Sequence, residues 1–344
     1  MTVEKQKDTI NGKIIYYEII RIIAIVGVVF NHSYTLGFHL YSITDNKYMQ
    51  LIYISISILC KTAVPLFLLI SGALLLGKKE EISILYKKRI IRMMVALIVF
   101  SVVVYIKENN VITITGFVKG FLEGTIATPY WYMYAYICFL VSLPIIKKLV
   151  SDISIYRYII VLCVIFEYIV PFLKYVCRIN IYEYIKIPTL SMFALYPIMG
   201  YFLSKIEFAV KTKLFIVFMG MLSVVTSMFV VYDASKINRY SQVGMGDFSF
   251  FIVISIFIII KDLGKYINEK SIVGKSIVLI GECTFGIYLF EPIIIRSVMF
   301  KIANKLIEFI PSIIAVSIGC LCAVCVGVVF VYILKKIPFV KKIV

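Results

Sequence analysis

The feature that most constrains this chain is a recurrence of long apolar stretches. Crossing the hydrocarbon core of a bilayer takes about 20 consecutive, mostly apolar helical residues. Ten stretches meet that description: 14–37, 49–76, 90–107, 130–149, 157–175, 188–204, 213–232, 248–263, 276–299 and 312–335. A soluble domain is about 45–50% apolar and about 25% charged. Here the figures are 62% and 16%, with a mean hydropathy of +0.99 over the whole length. The pattern predicts an all-α, polytopic membrane protein with about ten transmembrane helices. A tail at 1–13 precedes the membrane domain at 14–335, and a second tail follows at 336–344. The N-terminus is polar and no small-residue cleavage site follows the first apolar run, which reads as a retained helix rather than a signal peptide.

Interruptions in the pattern carry information too. Lys61 and Pro65 fall inside the second stretch and predict a kink or tilt there. Residues 108–129 are too polar to span, and their middle, GFVKGFLEG, suits a short amphipathic segment at the interface. The following PYWYMYAY reads as an aromatic belt at a membrane boundary. The connections 176–187 and 233–247 are polar and tyrosine-bearing, the second a surface loop.

A net charge of +17 raises the question of nucleic acid, and the distribution of charge answers it. The basic residues sit in the short segments between apolar runs, with no arginine-rich tail or nucleic-acid motif. Counted on alternate sides of the ten spans they divide 23 against 11, with Arg21 and Lys61 inside spans. That excess predicts that both termini are cytoplasmic, in a multi-pass protein of the cell membrane. All eight cysteines except Cys177 lie in apolar runs and read as small hydrophobes. With only two histidines, they form no metal-coordinating pattern.

Ionisable residues at membrane depth are costly and are functional candidates by default. Arg21 and His32 stand eleven residues apart in the first stretch. Eleven steps of about 100° bring the second side chain to within about 20° of the first, roughly 16 Å further along one face. An imidazole there can act as a general base on a hydroxyl, and an arginine can clamp phosphate or carbonyl oxygens. The plainer reading is a snorkelling arginine and an interfacial histidine. Glu18, one turn before Arg21, reads as its local partner. Arg89 and Arg92 open the third stretch three residues apart, a spacing that lets two guanidinium groups converge on one phosphate; positive-inside topology explains them equally. Glu291 precedes Pro292 in TFGIYLFEPIII; it either orients or exchanges a proton with His32, or forms a structural ion pair with Lys61 or Arg296. Glu167 and Glu282 read as structural partners, and His39 as a surface histidine.

Taken together, these residues resemble the acyltransferase-3 family of integral membrane O-acyltransferases. The resemblance rests first on EIIRIIAIVGVVFNHS, with its Arg21-x10-His32 spacing. It continues through VPLFLLISGALLL (64–76), the Arg89-x-x-Arg92 pair, PYWYMYAYICFLVSLPII (129–146), LYPIMGYFLSK (195–205) and CTFGIYLFEP (283–292). It implies transfer of an acyl group, most often acetyl, from cytoplasmic acyl-CoA to a hydroxyl of an extracytoplasmic carbohydrate or lipid-linked glycan. His32 would be the catalytic base or acyl relay, with Glu291 its partner, while Arg21, Arg89 and Arg92 would bind acetyl-CoA. Where relatives often read YLxHP, this chain has Tyr288-Leu289-Phe290-Glu291-Pro292, which puts in doubt any mechanism needing a second histidine.

Two other classes compete. A transporter or flippase for a polysaccharide or lipid-linked sugar would suit an interior rich in tyrosine and phenylalanine, 25 of each. A sensor module would need an attached signalling domain, and the sequence has no such segment.

Overall fold

A computed structural model describes residues 14–108, 111–179, 181 and 192–344 of the chain. The expected N-terminal tail, the opening of the sixth expected span and most of the 176–187 connection lie outside the described residues. The regular structure among the described residues is helical, with no β-strand. In order, the helices are α1 (Ile15–Asn31), α2 (Lys47–Lys61), α3 (Ala63–Leu75), α4 (Ile82–Leu85), α5 (Ile91–Glu108), α6 (Ile114–Glu123), α7 (Trp131–Leu149), α8 (Ile153–Val164), α9 (Met192–Lys205), α10 (Val210–Ser235), α11 (Ser249–Gly264), α12 (Ile272–Phe290), α13 (Arg296–Leu306), α14 (Ser312–Leu334) and α15 (Pro338–Ile343).

Each expected stretch carries a helix. Among the described residues, seven continuous helical segments are long and apolar enough to cross a membrane: Lys47–Leu75, Ile82–Glu108, Thr128–Leu149, Arg157–Val176, Val210–Ser235, Ile272–Leu306 and Ser312–Leu334. The other three expected positions hold α1, α9 and α11, of 17, 14 and 16 residues. Val210–Ser235 combines a hydropathy of 2.5 with only 33% burial, so most of its apolar surface faces outward. In water such a surface would be an aggregation site; in lipid it is the ordinary exterior of a membrane protein.

Local chemistry sets the helix ends. The first stretch stops at Asn31, six residues short of its expected end at 37. Ser33 explains the stop: its buried hydroxyl donates to the Phe30 carbonyl at 2.6 Å and accepts the Phe38 N–H at 2.9 Å, in competition with the helix. Tyr34 then takes a left-handed φ of 49°, uncommon for a residue with a Cβ, and short 3-10 turns at Tyr34–Leu36 and Leu40–Ser42 carry the chain to α2. The expected kink appears as a break at Thr62, three residues before Pro65, which has no N–H to give the Lys61 carbonyl. The amphipathic segment forms α6, opened by the Thr113 hydroxyl on the Gly116 N–H and closed by left-handed Gly124; none of its side chains is buried.

The chain divides into two compact units, one of Met1–Gly77 with Leu149–Gly281, the other of Lys78–Lys148 with Glu282–Val344. In the first, α1 packs against α2, α3 and α11, α3 against α9, and α10 against α2 and α11. The α3–α9 crossing is a backbone contact: Gly72 lies on the Pro197 backbone and Gly200 on the Leu69 carbonyl, with no room for a Cβ on either. Small residues admit this closeness, as between helices in lipid generally. At the end of α9, buried Lys261 from α11 donates to the carbonyls of Leu203 (3.1 Å) and Ile206 (3.0 Å), capping acceptors the helix cannot satisfy itself. Glu207 pairs with Lys261 at 2.8 Å and with Lys265 at 3.2 Å. Burial alone would raise its carboxyl, but these ammonium groups hold it down to about 2.

In the second unit α13 packs on α14, and α15 on α5. Phe290 is wedged edge-on between Phe100 and Phe330, each ring centroid 4.9 Å away. Two tyrosines tie the start of α7 to the end of α12: the Tyr130 hydroxyl donates to the Leu289 carbonyl and the Tyr288 hydroxyl to the Pro129 carbonyl, both at 2.6 Å. Of the cysteines, Cys163, Cys283 and Cys320 are buried, whereas Cys138, Cys177 and Cys325 are exposed, so the reading of small buried hydrophobes holds for only part of the set.

Candidate functional site

In the first unit, α1 presents Arg21 near its start and His32 just past its end. Arg21 Nη1 donates to both carboxylate oxygens of buried Glu18, at 2.7 and 2.9 Å, the local pair read from their spacing. Room for that carboxylate comes from Gly281 of α12, where a Cβ would meet Glu18. The helix from Arg21 to Asn31 rises about 15 Å. Between them along α1 lie Ala24, Ile25 and Val29, fully buried, so the stretch of helix joining the two residues is apolar.

His32 is the C-cap residue of α1 (φ −95°, ψ 12°), not a residue within a continuing span. Its backbone N–H donates to the Val29 carbonyl at 3.3 Å, and its side chain is half-buried. The preceding residue anchors it. Asn31 Nδ2 donates at 3.1 Å to the Cys60 carbonyl beside the α2–α3 break, and Gly27 lies against Cys60 and Ala63. The break therefore supplies an acceptor that fixes the end of α1, and with it the base of the imidazole.

Beyond His32 lies a network that residue spacing did not reveal. Lys61 Nζ donates to Gln242 Oε1 at 2.9 Å, and Gln242 Nε2 meets His39 Nε2 at 3.4 Å. His39 Nδ1 meets the Tyr41 hydroxyl at 3.3 Å, which donates to the Ser241 carbonyl at 3.0 Å. Donors and acceptors alternate only if His39 is neutral with its proton on Nδ1. Burial, then the Lys61 charge, pushes the imidazole below its ordinary value, which favours that form. Read from sequence as an isolated surface histidine, His39 instead helps to tie the 233–247 loop over the connection that follows His32. Its partner is 203 positions away, beyond any local signal.

The second unit holds the remaining candidates. Arg89 lies in a wide turn, Tyr86–Ile90, and donates through Nε to Glu80 at 2.9 Å. That hydrogen bond holds the Glu80 carboxyl below the usual carboxylate range. Arg92, in the first turn of α5, donates through Nη2 to the Val344 carbonyl at 3.3 Å. The two guanidinium groups thus hold separate partners. Glu291 is fully buried, and Arg296 takes both its oxygens, Nε to Oε1 at 2.8 Å and Nη2 to Oε2 at 2.7 Å. Of the two structural partners considered for Glu291, the fold selects Arg296; Lys61 goes to Gln242. Glu282 is exposed and Glu167 half-buried.

Comparison with known proteins completes the picture. The sequence profile of the acyltransferase-3 family, described as an acyltransferase domain, matches residues 14–332, nearly the whole chain. No curated protein and no solved structure matches it. The profile covers α1 with Arg21 and His32, the Arg89–Arg92 segment and the α12 break at Glu291. The chain belongs to the acyltransferase-3 family and is a membrane acyltransferase.

Proposed function

We propose that the protein moves an acyl group, acetyl in the first instance, from cytoplasmic acyl-CoA to a hydroxyl of an extracytoplasmic or lipid-linked carbohydrate at the cell membrane. The observation that carries this reading is the half-buried imidazole of His32, fixed at the end of an apolar helix whose other end bears the Arg21–Glu18 pair. In the proposal His32 takes the proton from the acceptor hydroxyl as its oxygen attacks the thioester carbonyl. The C–S bond breaks, and the proton passes to the departing CoA sulfur. Arg89 and Arg92 bind the phosphates of acyl-CoA, a task suited to planar, permanently charged guanidinium groups.

A phosphate at Arg89 must compete with Glu80, which already holds that side chain. Glu291 has a positioning role: clamped by Arg296 at the α12 break, it stands where the resemblance leads one to expect a histidine. With both termini cytoplasmic, as the charge count predicts, Arg21 is toward the inner face and His32 toward the outer. The test is mass spectrometry of surface glycans from cells with and without the protein. An acyl mass difference that disappears with the protein supports transfer. Unmodified glycan that accumulates inside the cell would indicate transport instead.

A further inference from the structure

At the end of the first unit that bears His32, the start of α2, the turn Phe172–Val176 and the end of α10 line an open, solvent-facing cavity of about 430 Å³. This falls in the range of ligand pockets, about 300–1,000 Å³. Three cations line it, Lys47, Arg178 and Lys236, against one carboxylate, Asp233. Asp233 is shared by Arg178 at 2.7 Å and Lys236 at 3.2 Å, so the lining keeps an excess of positive charge.

Two of the cations meet at one aromatic ring: Lys47 Nζ is 5.8 Å and Lys236 Nζ 4.9 Å from the centroid of Tyr232. Two like charges near one ring attract an anion, and Asp233 already meets Lys236 there at 3.2 Å. Arg178 stands at the cavity in a left-handed backbone conformation, φ 55°, unusual for a residue with a Cβ. Topology gives no reason for this gathering. Lys47, Arg178 and Lys236 are three of the 11 basic residues on the side that positive-inside sorting should deplete. Tyr175 and Tyr232 add flat amphipathic surfaces of the kind that contact sugars.

We infer that this cavity is an acceptor subsite for an anionic saccharide, gripping a carboxylate or phosphate oxyanion of the glycan while another hydroxyl is acylated. The inference rests on the acyl-transfer reading and narrows its acceptor to acidic glycans.

Binding tests it without chemistry. The full chain, purified in neutral detergent, is titrated with trigalacturonic acid, with its methyl ester and with a glycerol-phosphate oligomer, with phosphatidylglycerol vesicles as a separate arm. Both acidic oligomers should bind at least tenfold more tightly than the neutral ester, and the preference should fade at high salt. The pair Lys47→Ala and Lys236→Ala should abolish the preference, and Lys47→Arg with Lys236→Arg should restore it, which separates charge from folding. Equal binding of acid and ester, an acid preference that survives the double alanine change, or binding by vesicles alone would overturn the inference. Charge-selective binding by a protein that transfers no acyl group would leave the cavity assignment standing and remove the acyl-transfer reading; transfer without charge-selective binding would do the reverse.

Discussion

The Glu291–Arg296 pair gives the sharpest quantitative test of the packing within the second unit. Glu291 is 0% exposed and Arg296 21% exposed, with two hydrogen bonds of 2.8 and 2.7 Å between them. Arg296→Met keeps much of the side-chain volume and removes the guanidinium that holds both carboxylate oxygens. Breaking a buried pair from one side costs about 3–5 kcal/mol, because the remaining charge stays desolvated. Since water reaches part of Arg296, the cost should fall near about 3 kcal/mol. Removing both charges, with Glu291→Leu beside Arg296→Met, should return stability to within about 1 kcal/mol of the wild type. Denaturant titration of the detergent-solubilised proteins measures all three. A single variant that loses less than about 1 kcal/mol, or a double variant no more stable than the single, would refute the argument. Activity adds a second axis. If Glu291 positions groups for transfer, the double variant regains stability but not transfer; recovery of both would leave the pair a purely structural role.

Alanine at Gly72 or Gly200 would push a methyl into opposing backbone, so each should cost the upper part of the usual about 1–3 kcal/mol for overpacking. Alanine at Gly246, which has nothing within 4 Å of the new methyl, should be silent in the same denaturant titrations. The His39 network predicts a pH dependence. His39 faces Lys61, Tyr41, Tyr240 and Gln242, and its folded-state value lies below 6.5, so the unfolded chain binds the proton more readily. Its contribution is therefore complete above about pH 6.5 and lost as pH falls through the folded value. Limited proteolysis of the 233–247 loop should accelerate over that interval, and His39→Gln should flatten the profile. Glu80→Gln should release Arg89 and lower the apparent KM for acyl-CoA, whereas Arg89→Glu with Arg92→Glu should raise it; no change in either would detach this segment from the donor.

The helices were legible because apolar stretches of membrane length have few other solutions, and Pro65 announced the break at Thr62. The end of α1 was not legible. Tyr34 and Leu36 prolong the apolar pattern past Asn31, and only the two hydrogen bonds of Ser33 show why the helix stops. The sequence offers Glu291 and Arg296 as a candidate pair, but ideal helix geometry does not explain how they meet. Five residues apart on an α-helix they would diverge by about 140°. The wide turn Glu291–Ile295 instead brings them to one side. Candidates were visible where charge stood in an apolar run, as at Arg21 and Glu291. Their partners were visible only when near in sequence. Glu18 was within reach; Gln242 for His39 and Leu289 for Tyr130 depend on tertiary packing across 203 and 159 positions.

The central claim is that His32 moves the proton in acyl transfer. Its most direct test is label transfer by purified protein in proteoliposomes, supplied with labelled acetyl-CoA and membrane glycan extract, comparing wild type with His32→Ala. The account predicts labelled glycan and stoichiometric release of CoA thiol from the wild type. From a His32→Ala protein that melts and elutes normally it predicts neither. Equal labelling by the two proteins would contradict it.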